Sequence, residues 1–485
     1  MNYTLNGIVY KDYTKTKIIG YTEDIPDVVV IPDGVKSIGN YAFDCASLKS
    51  VTIGSGVKNI GKGTFSGCGA LTSVTIPDSV KSIGEWAFAD CLSLVSIIIP
   101  SSVTQISNTA FCGCGSLSSI VVNKNNKAYD SRNNCNAIIE TATNTLIEGC
   151  KDTKIPDNIT SIGNGAFYNC QGLTDIIIPD EITNIGEEAF YNCDNLINVS
   201  ISDSVISIGS KAFSGCSKLA NINIPKHITR IEDSTFKGCS ALTDIAVPNG
   251  VTSISEGAFE GCKGLTSITL PDSIISIGAG AFYRCIGLSN ITLPNSVTSI
   301  GNGTFFGCTG LTSITIPDNV KSVGAWAFTD CKNLTNIMLP NSITSIGNYA
   351  FQGCKSLPGI IIPNSVTSIG AGAFFSCDKL VKKGCFKVTN GNMSCHEMQL
   401  YNRAQNYKLG KEYHKKSPKL YYRGFHFYEN AYDLFGFMGG QIGKDVRFFV
   451  VECDDISDEK SYDSKRVCGK IKLVKEITSY AELLN

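Results

Sequence analysis

Histidine, methionine and tryptophan are scarce in this chain of 485 residues, which contains 4 His, 5 Met and 2 Trp. No apolar run approaches the roughly 18 residues that a membrane-spanning helix requires. The cysteines form no Cys-x-x-Cys pair, and Cys112-Gly-Cys114 is their only close pairing. Because the usual zinc patterns are missing, the sequence does not favour a metal centre. Because a long apolar run is missing, it does not favour a membrane span either.

The start of the sequence and the charge exclude further classes. Met-Asn-Tyr-Thr-Leu-Asn-Gly lacks the basic and apolar regions of a secretory signal, so we expect a cytoplasmic location by default. Residues 378–485 carry 19 Lys/Arg and 14 Asp/Glu, a charge of +5; since the whole chain has −1, the preceding residues carry −6. Neither value is typical of a dedicated nucleic-acid-binding protein.

A repeat of 23 residues built around Phe-x-x-Cys fills most of the chain. Phe43 with Cys45 fits the series with one residue deleted, which gives 14 units. A period of this length predicts a solenoid, in which stacked turns share one continuous core, so we expect function on surfaces. The other repeated phenylalanines are Phe65, Phe88, Phe111, Phe167, Phe190, Phe213, Phe236, Phe259, Phe282, Phe305, Phe328, Phe351 and Phe374.

Residues 265–285 represent one turn of the repeat. The spacing of Leu265, Ile268 and Leu270 predicts a short strand, and Pro271 ends it. The chain then returns to the core and closes through a turn or a short helical segment. The inward residues of this second part are Ile274, Ile277, Ala281 and Phe282.

The repeated cysteines predict a ladder along the core. Equivalent side chains in a stack point in parallel, an arrangement that does not suit disulfides. We interpret these cysteines as buried free thiols that act as small apolar residues. Metal binding by the ladder is the alternative.

The repeat pattern C-x-x-L-x-x-I-x-I-P-x-S-V-x-x-I-G-x-x-A-F resembles the BspA-like, Treponema-type leucine-rich repeats. It differs from the commoner leucine-rich pattern, because Pro and then Ser-Val or Ser-Ile follow the strand where an Asn ladder would lie. The resemblance covers about three quarters of the chain. It implies a bacterial or protozoal surface protein that binds host proteins or other cells.

Two segments depart from the period. Residues 1–30 predict a capping hairpin, and residues 31–377 predict the solenoid. The second hairpin falls at about 123–154, where the spacing from Phe111 to Phe167 is 56. It is expected to bend the solenoid or to bulge from it.

The outward strand residues form two columns, mostly of Thr, Ser, Asn and Asp. The first explanation of this composition is structural, because β-branched Thr suits the pleated surface of an exposed sheet. Apolar islands interrupt it, and the two tryptophans share one repeat position near them. Apolar and aromatic clusters are typical of protein interfaces. The resulting partner-binding candidates are Trp86, Ile98, Ile177, Asp175, Asp244, Trp326, Met338 and Ile361. His227 in a turn is interpreted as a surface residue.

The period stops after Cys377, and residues 378–485 predict a small α+β domain. Strands are expected at Gly384–Val388, Val446–Cys453 and Val467–Val474, with a short helix at Glu429–Phe437. The motifs Gly-Cys-Phe-Lys-Val, Leu-Gly-Lys-Glu-Tyr, Gly-Phe-His-Phe-Tyr-Glu-Asn and Lys-Ile-Lys-Leu-Val-Lys-Glu resemble an uncharacterised domain of bacterial and phage proteins. That resemblance implies no activity.

Gly424-Phe-His-Phe, followed by Ala431 and Phe435, also resembles a step of ADP-ribosyltransferase-like folds. Candidate site residues there are His426, Glu429 and Glu452, although a histidine between two phenylalanines, such as His426, is more often a structural strand residue. Cys395-His396, His414 and His426 match no known zinc spacing.

Three functions remain open. The leading one is a non-enzymatic recognition scaffold with a protein partner, no cofactor, no metal and no catalytic residue. The second is an effector whose repeats position a C-terminal enzyme. The third is a purely structural solenoid with an elaborate cap.

Truncation of one repeated ring tests the core assignment. We predict that Phe236→Ala destabilises the protein by about 3–5 kcal/mol, because it removes a buried ring and leaves a cavity. Thermal unfolding measures the effect, and an unchanged melting temperature would contradict the core assignment.

Overall fold

The computed structural model describes residues 2–380 in full and, after them, the backbone of the five strands 383–390, 412–414, 425–430, 446–460 and 465–477. The chain divides into two units, Met1–Gly250 and Val251–Asn485. In both units short parallel strands stack turn upon turn. Each unit is therefore built as a β-solenoid of the leucine-rich type.

The first unit contains a 3-10 segment at Arg132–Asn134 and 23 strands. The strands are β1 Tyr3–Leu5, β2 Ile8–Tyr10, β3 Lys17–Tyr21, β4 Val28–Val30, β5 Ser37–Ile38, β6 Ser50–Thr52, β7 Asn59–Ile60, β8 Ser73–Thr75, β9 Ser82–Ile83, β10 Ser96–Ile99, β11 Gln105–Ile106, β12 Ser119–Val122, β13 Tyr129–Asp130, β14 Ala137–Glu140, β15 Thr145–Gly149, β16 Ser161–Ile162, β17 Asp175–Ile178, β18 Asn184–Ile185, β19 Asn198–Ile201, β20 Ser207–Ile208, β21 Asn221–Ile222, β22 Arg230–Ile231 and β23 Asp244–Ala246.

The second unit continues the same pattern and then changes to longer strands. Its described strands are β24 Ser253–Ile254, β25 Ser267–Thr269, β26 Ser276–Ile277, β27 Ser299–Ile300, β28 Ser313–Thr315, β29 Ser322–Val323, β30 Asn336–Met338, β31 Ser345–Ile346, β32 Ser368–Ile369, β33 Lys383–Asn390, β34 Glu412–His414, β35 Phe425–Asn430, β36 Val446–Lys460 and β37 Lys465–Ile477.

Most turns carry two strands, where the sequence predicted one, and the turns of Thr292 and Ile361 lack a regular first strand. The first strand follows the Leu-x-x-Ile step, and the second is the two-residue Ser-Ile pair after the proline. First strands pair with first strands, as in β4-β6-β8, and second strands with second strands, as in β27-β29-β31-β32. The second strand was missed because two residues are too few to show a period.

Stacked phenylalanine rings form the centre of the core. Phe65 and Phe88 are fully buried, and their ring centroids lie 5.3 Å apart at an angle of 12°. In the second unit the rings of Phe328 and Phe351 also lie 5.3 Å apart and nearly parallel. Tyr21 stacks on Phe43 at 6.4 Å and so extends the spine by one ring at its N-terminal side.

The repeated cysteines pack beside this spine as buried thiols. Most of them donate a hydrogen bond from Sγ to the carbonyl oxygen of the phenylalanine one turn earlier, for example Cys91 to Phe65 at 3.3 Å and Cys308 to Phe282 at 3.1 Å. The same carbonyl of Phe65 accepts the N–H of Cys68 within its own turn, also at 3.3 Å. The thiol ladder therefore joins consecutive turns while it fills apolar space.

Cys45 was placed in this ladder by the sequence analysis, and that placement is wrong. Cys45 is exposed with φ 58°, whereas Ala46 is buried in the ladder position three residues after Phe43. The deleted residue lies after the ladder position and not before it. The 13 other repeated cysteines, Cys68 to Cys377, are buried as predicted.

A serine ladder takes the role of the missing Asn ladder. The serine two residues after the repeat proline donates to a core residue's carbonyl in the preceding turn, as Ser79 does to Val57 at 2.6 Å and Ser365 to Ile343 at 2.6 Å. These bonds satisfy carbonyl groups that the short strands leave unpaired.

The segment around each phenylalanine forms successive turns and not a helix. N–H groups alternate between two acceptors: Phe65 donates to Ala87 of the next turn, whereas Ser66 donates to Gly63 of its own turn. Positive φ angles two residues before and two residues after the phenylalanine, as at Trp86 and Asp90, interrupt any helical path. The option of a short helical segment is thus wrong, and the turn option is correct.

Antiparallel strands occur at the N-terminus and at the break in the period. Strands β1, β2 and β3 form a meander, and β3 then pairs in parallel with β5. At the break β14 pairs antiparallel with β15, and β15 pairs in parallel with β16. The second arm of this hairpin therefore continues the second-strand ladder.

Strands predicted at Gly384–Val388, Val446–Cys453 and Val467–Val474 lie within β33, β36 and β37. These pair antiparallel, with β35 also joining β33 to β37. The predicted helix at Glu429–Phe437 is wrong at its start, because Glu429 and Asn430 belong to β35. Residues 431–437 lie outside the described residues, and an α+β domain stays a prediction.

We predict that thiol-alkylating reagents distinguish Cys45 from the ladder. Burial raises the pKa of Cys68 and of Cys308 to about 12, so only about one thiol in 10⁴ is ionised at pH 8. Peptide mapping after brief iodoacetamide treatment should find Cys45 modified and both ladder cysteines intact. Denatured protein is the control, in which all three should react. Equal native reactivity of Cys45 and Cys308 would contradict the ladder.

Candidate binding surfaces

The outward face of the first strands, called here the first-strand face, carries exposed apolar residues in a polar surrounding. Ile98 on β10 is 63% exposed and lies directly opposite Val121 of β12. Ile177 on β17 is 74% exposed and lies opposite Ser200. These side chains point outward because the alternate residues Ile97, Ile99 and Ile176 fill the core.

In the second unit, Met338 and Ile361 occupy the corresponding positions. Met338 on β30 is 64% exposed opposite Thr315, and Ile361 is 77% exposed. Ile361 lies outside a regular strand, although Ile360 and Ile362 beside it are buried. Pro358 explains the lost strand, since it stands where Thr335 of the preceding turn donates its N–H to Thr312.

Two further valines belong to the first-strand face and were missed by the sequence analysis. Val28 and Val30 of β4 are 60% and 64% exposed, and Val30 lies opposite Thr52 of β6. Val30 and Thr52 are 22 residues apart, so a strict period of 23 does not align Val30 with the column of outward residues. The alternation in Val-Val-Val-Ile-Pro was the signal that could have found it.

Both acidic candidates also lie on first strands. Asp175 on β17 accepts a hydrogen bond from the amide of Asn198 one turn later, which lowers the pKa of its carboxyl. Asn198 in turn accepts from Asn221 at 2.8 Å. Asp244 on β23 is exposed and accepts a long bond of 3.4 Å from Thr243. Asp175 thus takes part in a polar side-chain ladder that links turns.

Trp86 and Trp326 lie in the phenylalanine turns, away from the first strands in sequence and in structure. Each has φ 55°, in the left-handed region that disfavours any side chain, whereas Gly63 and Gly165 hold the same repeat position. Each ring walls a groove, and neither groove is lined by Ile98, Ile177, Met338 or Ile361.

The groove beside Trp86, called the Trp86 groove, lies in the first unit and has a volume of about 430 Å³. Tyr168 provides a second aromatic wall and stacks on Tyr191 with centroids 4.9 Å apart. Carboxylates from four residues also line this groove, namely Glu85, Asp90, Glu187 and Glu188.

The groove beside Trp326 lies in the second unit and measures about 420 Å³. Tyr283 and Phe306 line it and stack on each other at 4.6 Å. Trp326 itself stacks on Tyr349 at 6.4 Å, and Arg284 lies over the ring of Tyr283 at 5.5 Å. This groove is more aromatic than the Trp86 groove, with Glu256 and Glu260 as its carboxylates.

The break in the period buries a carboxyl group inside the core. Glu148 of β15 is 4% exposed, and its carboxylate accepts a hydrogen bond from the backbone of Phe111, while Oε2 has no partner among the described residues. Burial raises the pKa of Glu148 well above its ordinary value. Burial, and then the nearby Glu148, raise the pKa of Cys112 to about 12.

The C-terminal candidates lie on strands of which only the backbone is described. His426 and Glu429 share β35, and Glu452 lies on β36. Both strands pair with β37, where His426 is opposite Val467 and Glu452 opposite Lys472. The partners of His426 and Glu452 on β37, Val467 and Lys472, are five positions apart, so the register separates these two candidates along that strand.

The described part of the chain shows neither a cluster of metal ligands nor a helix that could cross a membrane. No three His, Cys, Asp or Glu side chains there come together as metal ligands. Cys395, His396, His414 and His426 lie outside that search. None of the described helical segments has the length and hydropathy of a membrane span.

Comparison with known proteins identifies the repeats. The family described as the BspA type leucine rich repeat region matches residues 22–139, 146–266 and 252–381. The chain belongs to the BspA-type leucine-rich repeat family. Residues 384–485 match a second family, described as a domain of unknown function, DUF7666.

Several solved structures of bacterial leucine-rich repeat proteins have similar sequences. A leucine-rich cell-surface protein of Faecalibacterium prausnitzii is 29% identical, over 74% of this chain and 94% of that chain, with a TM-score of 0.49. A Bacteroides ovatus leucine-rich repeat protein is 29% identical, over 78% and 93%, with a TM-score of 0.45. The Treponema pallidum leucine-rich repeat protein is 31% identical, over 42% and 86%, with a TM-score of 0.30. No curated protein matches the chain.

We predict that Glu148→Gln changes the pH dependence of unfolding. Because the folded-state pKa of Glu148 is raised above the unfolded value, folding takes up a proton, and stability is lost as the pH rises toward that raised pKa. The variant has no carboxyl group at this position, so its free energy of unfolding does not fall in this way. Between the unfolded-state and the folded-state pKa of Glu148, the difference between the two proteins grows by up to about 1.4 kcal/mol per pH unit.

Urea unfolding midpoints at pH 5 and pH 8 measure the effect. The variant should gain on the natural protein as the pH rises. The exposed Glu181 provides the control substitution Glu181→Gln, which should leave the pH dependence unchanged. Parallel pH profiles of the natural protein and Glu148→Gln would show that the carboxyl is not buried.

Proposed function

We propose that this chain is a non-enzymatic recognition scaffold that binds a protein partner through the first-strand face. The carrying observation is the exposure of Ile98, Ile177, Met338 and Ile361, each between 63% and 77%, on a face that is otherwise rich in Ser and Thr. Exposed apolar side chains gain roughly 1.5–3 kcal/mol each when a partner covers them fully.

Rigid placement supports the proposal. The residues beside the exposed ones are buried at 6% or less, as for Ile97, Ile176 and Ile337, so the outward side chains keep fixed positions. A partner would meet a surface that needs little ordering on binding, and preorganisation of this kind favours affinity. Family membership supports the same proposal, since repeats that share a core leave their outer surfaces available for contacts.

The location that we propose is the cell surface. The Faecalibacterium relative is described as a cell-surface protein, and the BspA resemblance implies the same kind of location. Trp86, Trp326, Asp175 and Asp244 stay proposed as partner contacts, in addition to the apolar islands.

A peptide library displayed on phage tests the first-strand face. We predict that clones selected on the natural protein lose at least about 10-fold in binding to Ile98→Ser/Ile177→Ser or to Met338→Ser/Ile361→Ser, because one buried isoleucine is worth about one factor of ten in affinity.

Two isoleucines elsewhere provide matched controls. Ile206 is 60% exposed before β20, and Ile275 is 58% exposed before β26, so both precede second strands. Ile206→Ser and Ile275→Ser should leave the selected clones bound. Equal loss with the controls, or clones that tolerate every substitution on the first-strand face, would refute the proposed surface.

A further inference from the structure

The Trp86 groove combines an aromatic wall with uncompensated negative charge. Of its four carboxylates, Glu85 pairs with Lys62 at 2.8 Å and Glu188 with Lys211 at 2.7 Å. In the described part of the chain Asp90 and Glu187 form no ion pair, although Lys211 also attracts Glu187 electrostatically. The four carboxylates thus exceed the two lysines by two negative charges. No Lys or Arg lines the groove.

The same ring already holds one cation from within the protein. The ammonium of Lys62 lies 4.4 Å from the centroid of Trp86 while it pairs with Glu85. Lys62 belongs to the preceding turn and does not line the groove, which extends toward the following turns through Thr109 and Gly165. Within this chain an indole face and a carboxylate thus attract an ammonium group together, as they do for Lys62. A guanidinium group is able to make the same contacts.

The position of Trp86 is unfavourable for a side chain unless something is gained from it. Its φ of 55° lies in the region that Gly63 adopts one turn earlier and Gly165 adopts after the break. Thr109 and Gly165, which follow Trp86 in the same column of turns, are small and leave the ring exposed to the groove. Other turns have the same φ at this position, as at Tyr41 and Lys211, so the exposed ring in the groove and not the backbone angle distinguishes Trp86.

We propose that the Trp86 groove binds a basic segment of a protein partner, with one Lys or Arg side chain on the Trp86 ring and a second near Asp90 and Glu187. An excess of two negative charges in one groove suits two linked positive charges, whereas a single small cation would neutralise only one. The charge of −6 on the residues before 378 would attract such a segment from a distance. This site is separate from the first-strand face.

Tryptophan fluorescence of the full chain provides the assay. Since the chain has only two tryptophans, Trp326→Phe leaves Trp86 as the sole reporter. Titration with the peptide acetyl-Gly-Lys-Gly-Lys-Gly-amide should give a saturable change that weakens at high salt. Asp90→Asn/Glu187→Gln should reduce the affinity at least 10-fold, and the matched peptide with Glu in place of Lys should not bind. Equal binding of both peptides, or an affinity unchanged by the double substitution, overturns the proposal.

Calorimetry with Trp86→Gly tests the ring itself. Glycine suits the left-handed position, so this variant should fold with an unfolding midpoint at or above that of the natural protein, yet bind the dibasic peptide at least 10-fold more weakly. Tyr41→Gly is the matched control, because Tyr41 has φ 55° at the same repeat position and does not line the groove. It should bind normally, as should Ile98→Ser/Ile177→Ser.

Tetramethylammonium distinguishes a peptide site from a small-cation site. We expect it to bind at least 10-fold more weakly than the dibasic peptide. Equal affinity would overturn the assignment to a basic segment, and normal peptide binding by Trp86→Gly would overturn the role of the ring.

Discussion

Stacking of one phenylalanine ring on the next is the contact on which the rest of the structure depends. Centroid distances run from 4.9 Å for Phe167 and Phe190 to 5.9 Å for Phe213 and Phe236. These values are close to the spacing of paired strands, about 4.8 Å, so one rise per turn satisfies both the rings and the backbone hydrogen bonds. The thiol ladder fits the same rise, because cysteines such as Cys91 and Cys308 reach the phenylalanine carbonyl of the turn before.

A core of this kind determines which positions are able to vary. Each turn needs its ring, its Leu-Ile pairs and a small apolar residue in the ladder, which is Cys in all turns but that of Phe43. The residue two before the phenylalanine, in contrast, mostly has only to adopt a positive φ. Gly63, Trp86, Glu188, Lys211 and Tyr349 all do so. The cost of about 1–2 kcal/mol for a non-glycine residue there is smaller than the contribution of one buried ring. A functional side chain at this turn position therefore lowers the stability by less than one buried ring contributes.

The sequence predicted the repeat, the ring spine, the buried thiols and the outward columns, because these depend on period and polarity alone. It could not place what depends on local geometry. The position of Cys45 changed with the place of one deletion, and Val30 was hidden by a step of 22. The grooves depend on side chains from turns that are far apart in sequence, such as Trp86 and Tyr168, and no pattern of one unit contains both.

Glu148 and the Trp86 groove both lie at the break in the period. At its outer edge the stack closes directly, since Gly113 donates to the carbonyl of Tyr168 at 3.0 Å, the bond that the regular turns make. Inside, the hairpin arm inserts Glu148, which accepts the bond of Phe111, and Gly149, where a Cβ would lie 2.2 Å from the Phe167 ring. The spine thus loses one ring, whereas the N–H groups of Phe111 and Gly113 keep acceptors. In the column of turns that follows Trp86, the break places Gly165 after Thr109, and both small residues line the groove.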